Sequence, residues 1–127
     1  MFFSVMVPGR AAVKKNTQRV VGVGRRKRVI YSPLYLAWAQ VARIACMRAH
    51  HGQSTYDGLI EAHFNFTFKN HQSESDLSNC LEGIQDILQT TGVIKDDKQI
   101  RCIVAKKHFG GDPCTTVHLF PYEDLNA

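Results

Sequence analysis

The first half of the chain has no acidic residue. Met1–Tyr56 contains ten Lys or Arg residues and no Asp or Glu, whereas Asp57–Ala127 contains six basic and eleven acidic residues. The two parts carry +10 and −5, which sum to the formal net charge of +5. This division indicates that the first part attracts a polyanion and that the second part keeps its carboxylates for another purpose.

Several other features are missing from the sequence. No apolar run approaches the roughly 18 residues that a membrane-spanning helix needs, so we expect no contact with a membrane. The opening stretch Met1–Val7 is apolar, but it is too short for a signal peptide. The four cysteines form no Cys-x-x-Cys pair, which argues against a zinc knuckle or a disulfide framework and favours reduced thiols in a cytoplasm.

The length and the apolar content predict one folded domain over residues 1–127. With 44% apolar residues the chain can build a core, but 127 residues are too few for a two-domain enzyme. Six strands and two helices are predicted from the pattern of apolar residues. They are strands at Phe2–Val7, Arg19–Val23, Lys27–Tyr31, Leu59–Lys69, Gln99–Lys107 and Thr115–Phe120, and helices from Pro33 to about His50 and from about Asp76 to Thr90. This order fits an α+β fold with one mixed β-sheet and two helices packed on it.

The clearest strand and the two helices each have a predicted apolar face. Alternation in the strand and helical spacing in the helices select these residues. They are Ile60, Ala62, Phe64, Phe66 and Phe68 on the strand, Leu34, Trp38, Val41 and Ala45 on the first helix, and Leu77, Leu81, Ile84 and Leu88 on the second.

Most of the cations of the first half lie between residues 10 and 28. They are Arg10, Lys14, Lys15, Arg19, Arg25, Arg26, Lys27 and Arg28. Glycines are interleaved with them, and glycine lets a backbone approach a phosphate closely while Arg offers forked donors to its oxygens. This basic segment therefore predicts contact with nucleic acid; a basic surface that serves only solubility is the alternative.

Acidic residues stand at both ends of the second predicted helix. Asp76 precedes it, and Asp96-Asp97 follow its exit loop. If the excursion through this helix brings the two positions to one end of the sheet, their oxygens suit Mg²⁺, and a cation there polarises a phosphodiester. Each position also has a plainer explanation, because Asp76 suits a helix N-cap and Asp96-Asp97 suit a turn. An N-cap role and a ligand role are compatible.

Four short motifs recur here in the order of a known family. They are Asp76-Leu77-Ser78-Asn79, Asp86-Ile87-Leu88, Gly92-Val93-Ile94 and Asp96-Asp97-Lys98-Gln99-Ile100. Together they resemble the RusA family of Holliday-junction resolvases, which are small magnesium-dependent endonucleases of bacteria and their prophages. The resemblance implies a homodimer in the bacterial cytoplasm that binds a four-way DNA junction and cuts two opposed strands by paired symmetric nicks. It also implies that Asp76 and Asp97, with Asp96 beside Asp97, hold Mg²⁺, with Mn²⁺ as an alternative ion.

Two positions depart from the family pattern. Ser78 stands where most members have a second catalytic aspartate, and Glu82 stands where they have a catalytic lysine. Ser78 is a neutral and weaker ligand, and Glu82 can restore the missing charge if its side chain turns inward. The expected catalytic set is therefore Asp76, Asp97 and Glu82, with Ser78 as a further metal ligand.

The same departures leave an alternative open, namely a branched-DNA-binding protein that keeps the fold and has lost the chemistry. A nuclease that uses histidine is a weaker alternative, because the six histidines form no His-x-x-x-His pair.

Overall fold

Four strands form the main sheet of the computed structural model, which describes residues 1–13, 18–21, 28–31 and 33–123. They are β1 (Phe3–Pro8), β4 (Ile60–Phe68), β5 (Ile100–Phe109) and β6 (Cys114–Pro121), in the order β1-β6-β4-β5. The β4–β5 pair is parallel and the other two pairs are antiparallel, so the sheet is mixed. With helices α1 (Pro33–His50) and α2 (Leu77–Thr90), this arrangement confirms the α+β prediction.

A separate antiparallel pair is formed by β2 (Gln18–Val21) and β3 (Arg28–Tyr31). It confirms the predicted hairpin at the level of the backbone. Its register places Arg19 opposite Ile30 and Val21 opposite Arg28.

The strand of phenylalanines lies at the centre of the core. Every second residue of β4, from Ile60 to Phe68, is fully buried, as the alternation predicts. Val117 and Leu119 of β6 and Val7 of β1 continue the same buried face. The opposite face of β4 is only half-buried.

Helix α1 packs through a different stripe from the one predicted. Trp38 is buried, but Leu34 is 56% exposed and Val41 is 40% exposed. The buried residues are Tyr35, Trp38, Ala39, Ala42 and Cys46. Apolar residues occur around the whole helix, so periodicity alone allowed either of two faces to be buried. The small side chains of Ala39 and Ala42 let the face that is buried approach its neighbours closely.

Helix α2 packs largely as predicted. Ile84 and Leu88 are fully buried, whereas Leu77 and Leu81 are partly buried against the core. Gly83 joins the buried face, because a Cβ at this position would lie 3.6 Å from the Trp38 ring. Gly92 ends the excursion at a φ of 79°, a conformation that glycine adopts without strain.

Candidate functional site

Asp76 caps the N-terminus of α2. Its Oδ1 accepts hydrogen bonds from the backbone N–H of Ser78 at 2.9 Å and of Asn79 at 3.4 Å. The structure therefore confirms the capping explanation for this residue. Both bonds go to Oδ1, so capping leaves the second oxygen of this exposed carboxylate available to a ligand.

The other two aspartates lie in the segment Lys95–Gln99, which we call the acid loop. Asp96 caps a short 3₁₀ helix, and its carboxylate accepts a hydrogen bond from the N–H of Lys98 at 2.8 Å. This bond, together with a side-chain hydrogen bond to Asp97, lowers the pKa of Asp96 below its usual value. Asp97 is exposed, and its backbone N–H donates to Oε1 of Gln89 in α2 at 3.2 Å.

A cleft of about 410 Å³ runs along the outer face of α2, and we call it the α2 cleft. Its lining residues are Ser78, Leu81, Glu82, Gln85, Asp86, Gln89 and Asp97. Three predicted site residues thus line one cleft, namely Ser78, Glu82 and Asp97. Asp76 and Asp96 are not among the residues that line it.

Three polar residues of the cleft were missed as site candidates: Gln85, Asp86 and Gln89. Asp86 could have been found, because Ser78, Glu82 and Asp86 follow one another at intervals of four residues and so lie on one side of a helix. Nothing in the sequence marks Gln85 and Gln89 as site residues, because glutamine is common on the exposed faces of helices.

Asp76 and Asp97 do not meet at one end of the sheet within a single copy of the chain. Asp76 precedes the first residue of α2, and Asp97 contacts Gln89, one residue before its end. A 14-residue helix is about 21 Å long. The expected convergence was therefore wrong for one copy: in a parallel β4–α2–β5 crossover the helix returns the chain to the far end of the sheet, and the two acids flank it.

The cleft offers oxygen ligands of the kind that Mg²⁺ prefers, from carboxylates, a hydroxyl and carboxamides. They are spread along the helix, however. Over the described parts of the chain, no group of three or more His, Cys, Asp or Glu side chains is placed to hold a metal ion. The chemistry of the donors fits a divalent cation, but one copy does not gather them at one point.

The start of the basic segment lies beside the end of α2 that carries Asp76. Arg10 donates from Nε to the backbone oxygen of Ser73 at 2.6 Å, and the Ser75 hydroxyl donates to the backbone oxygen of Ala11 at 3.2 Å. These bonds tie the segment to the loop that leads into Asp76. The side chains of Lys14, Lys15, Arg19, Arg25, Arg26, Lys27 and Arg28 lie outside the described residues.

A second groove, of about 760 Å³, separates β1 from α1. Met6, Val41 and Ile44 give it a largely apolar lining, and its charged lining residue is Arg48 rather than an acid. Metal-assisted chemistry therefore has its candidate ligands along α2 and not in this groove.

Two buried thiols are unsuited to nucleophilic chemistry. Burial raises the pKa of Cys46 to about 12 and that of Cys80 to about 11, so both are protonated at neutral pH. Within the described residues, no helix combines the length and the hydropathy required to cross a bilayer.

The fold and the α2 cleft together define a small α+β protein with an oxygen-lined cleft next to the start of a basic segment. A family model described as Endodeoxyribonuclease RusA matches residues 7–119, which is most of the chain. The chain therefore belongs to the RusA endodeoxyribonuclease family, as its four motifs indicated. A comparison with curated proteins found no match.

Proposed function

We propose that this protein is a divalent-metal-dependent endodeoxyribonuclease that resolves four-way DNA junctions by paired symmetric nicks. One observation carries the proposal: in a chain of this endodeoxyribonuclease family, Ser78, Glu82 and Asp97 line one cleft. Phosphodiester hydrolysis requires a group that stabilises negative charge on the phosphate, and oxygen ligands for a cation meet that requirement.

The residues proposed to hold Mg²⁺, or Mn²⁺ in its place, come from both ends of α2. Asp76, Ser78 and Glu82 provide oxygens at the first end, and Asp97, with Asp96 beside it, provides carboxylates at the second. When bound, the metal would polarise the phosphodiester and lower the pKa of a coordinated water. The protein's own task is to orient these oxygens and to hold the DNA backbone next to them.

Two copies of the chain are proposed to complete each site. In one copy Asp76 precedes the first turn of α2 and Asp97 contacts Gln89 in the last turn, whereas Mg²⁺ needs its ligands about 2.0–2.1 Å from one point. A two-fold axis across the α2 cleft would bring Asp97 of the partner subunit to the end of α2 that carries Asp76. The same symmetry forms two sites, as two opposed cuts require.

The basic segment is proposed to bind the phosphates of the junction arms. Arg10 starts it beside the Asp76 end of α2, so DNA bound along the segment would pass close to the proposed metal ligands. Contacts of this kind position the backbone without reading its sequence, and they weaken as the salt concentration rises. Because the substrate is cellular DNA, we further propose that the protein acts in the bacterial cytoplasm.

Replacing the two proposed ligands at the ends of α2 tests the chemistry. Asp76→Asn and Asp97→Asn each remove a charge while keeping a similar shape, so we expect cleavage of a labelled four-way junction in Mg²⁺ to fall at least about 100-fold, because a charged transition-state contact is lost. Binding to the junction should persist or improve, since negative charge near DNA is removed. Asp112→Asn, an exposed acid in the β5–β6 turn, is the matched control. Undiminished cleavage by both ligand variants would refute the assignment.

A second candidate function is a branched-DNA-binding protein without catalysis. The observation that favours it is the pair of departures at Ser78 and Glu82, which replace an acid and a lysine of the family pattern. The two functions differ in one assay with the wild-type protein. Tight binding of the junction with no nicks in either Mg²⁺ or Mn²⁺ would establish the binding-only function.

A further inference from the structure

The carboxamide of Gln99 uses its full hydrogen-bonding capacity. Its Oε1 accepts from the backbone N–H of Lys95 at 2.7 Å and of Asp96 at 2.8 Å. Its Nε2 donates to the backbone oxygens of Tyr56 at 2.8 Å and of Gly58 at 2.9 Å. A carboxamide has two acceptor positions and two donor hydrogens, and all four are satisfied here. The orientation of the amide is therefore fixed. If it were flipped, its NH₂ group would face the backbone N–H groups of Lys95 and Asp96, and its oxygen would face the backbone oxygens of Tyr56 and Gly58.

These four bonds join two separate segments of the chain. Lys95 and Asp96 immediately precede Asp97, whereas Tyr56 and Gly58 lead into β4. The second segment is itself firmly anchored. The N–H of Tyr56 donates to the oxygen of buried Val93 at 3.1 Å, and its ring stacks on Phe2 with the ring centroids 3.9 Å apart. Gln99 therefore connects the backbone of the acid loop to a fixed part of the fold.

The acid loop has a second attachment, to α2. The N–H of Asp97 donates to the side-chain oxygen of Gln89, so two glutamine side chains accept from three successive backbone N–H groups, those of Lys95, Asp96 and Asp97. The backbone is held from both sides, while Asp97 is exposed and lines the α2 cleft. A ligand held in this way loses little conformational entropy when it binds a cation.

We infer that Gln99 is a positioning residue for Asp97: its carboxamide holds the acid loop so that the Asp97 carboxylate faces the α2 cleft. This inference rests on the proposed function only where it assigns metal binding to the Asp97 carboxylate. Other side chains do not reproduce the four bonds. Asn is one methylene too short to span both segments, Met has the right length but no donor, and ionised Glu would place a negative oxygen against two carbonyl groups.

Gln99→Met tests the inference, because it keeps the length of the side chain and removes all four bonds. We expect amide hydrogen exchange at Lys95 and Asp96 to accelerate at least about tenfold, since each N–H loses its acceptor. We also expect affinity for Mn²⁺, measured by calorimetry on the full chain with junction DNA, to fall by at least about tenfold. Gln53→Met, at an exposed glutamine after α1, is the matched control and should change neither quantity.

Gln99→Glu is the second variant, because it keeps the length and the acceptor oxygens of the side chain and loses both donor hydrogens. Its ionised carboxylate repels the backbone oxygens of Tyr56 and Gly58, so Mn²⁺ affinity should again fall by at least about tenfold. Urea unfolding of wild type, Gln99→Met and Gln99→Glu, measured under the same conditions, separates loss of positioning from a general loss of stability: both variants should stay folded at the concentrations used for the Mn²⁺ titration.

Unchanged exchange at Lys95 and Asp96 in Gln99→Met would overturn the inference, as would unchanged Mn²⁺ affinity with accelerated exchange. If wild-type protein binds no Mn²⁺ and makes no nicks, the proposed function fails. The exchange measurement then still decides whether Gln99 holds the acid loop in place.

Discussion

Single residues in this protein combine structural and functional roles. Asp76 caps α2 through one carboxylate oxygen, and Asp96 caps the 3₁₀ helix of the acid loop. The sequence suggested a helix cap for Asp76 and a turn for Asp96-Asp97, and the structure contains hydrogen bonds of both kinds. They do not compete with metal binding, because a carboxylate has about four lone-pair positions and a cap occupies one or two. Asp97, next to Asp96, lines the cleft.

The pH dependence of stability should report the cap at Asp96. Its pKa is lowered in the folded protein, mainly by the hydrogen bond from the N–H of Lys98. A lowered pKa contributes stability above the ordinary value of 3.8, and this contribution is lost as the pH falls through the lowered value. Asp96→Asn keeps an acceptor for Lys98 and does not titrate.

Wild type should therefore lose stability relative to Asp96→Asn as the pH falls below about 4, whereas the difference should be constant at higher pH. Denaturant unfolding at a series of pH values, without divalent metal, measures this. Parallel stability curves for the two proteins down to pH 2 would contradict the role of the cap.

At the level of elements, α1 and α2 approach each other at Gly83 of α2. Gly83 faces Trp38, and a Cβ there would meet ring atoms at 3.6 and 3.9 Å and the oxygen of Ala12 at 3.8 Å. These are ordinary contact distances. The position therefore accepts a methyl group but not a larger side chain, and the helix backbone does not require glycine at this point.

We expect Gly83→Ala to stabilise the protein by about 0.5–1 kcal/mol, because alanine loses less entropy than glycine in a helix. Gly83→Leu should destabilise it by about 1–3 kcal/mol, because the longer side chain overpacks against Trp38. Urea unfolding followed by tryptophan fluorescence measures both, since the chain has one Trp. A destabilised Gly83→Ala would mean that the two helices approach each other more closely than this geometry describes.

At the level of the whole molecule, the length of α2 decides how the proposed site can be assembled. If each site takes Asp76 from one copy and Asp97 from the other, the two inactive variants should complement each other. In a mixed dimer of Asp76→Asn with Asp97→Asn, one site carries both substitutions and the other carries neither. That dimer has one intact site.

Co-expressed Asp76→Asn and Asp97→Asn chains should therefore regain nicking of a four-way junction. Each variant alone should be inactive, and the mixture should produce single nicks in place of paired cuts. Denaturing electrophoresis of a junction labelled on all four strands distinguishes the two products. If the mixture is as inactive as its parts, both acids act within one copy or neither is a ligand.

The sequence alone predicted the layout of this protein well. Alternation in β4 was decisive because all five inward residues are apolar and all outward ones are not, so only one face could be buried. The motifs between Asp76 and Ile100 indicated the family, and the match over residues 7–119 confirms it. Alternation and short motifs involve residues that are close together along the chain. They can therefore be recognised in the sequence whatever way the helices and strands pack.

The packing of α1 and the geometry of the site were decided by the tertiary structure. Helix α1 is apolar around its circumference, so only contact with β1 and α2 could select the face with Ala39 and Ala42. Gln99 gave no signal beyond its place in a motif, because its four bonds join backbone groups about 40 residues apart. The distance between Asp76 and Asp97 likewise follows from the direction in which α2 crosses between two parallel strands, since a helix of fixed rise separates whatever lies at its two ends.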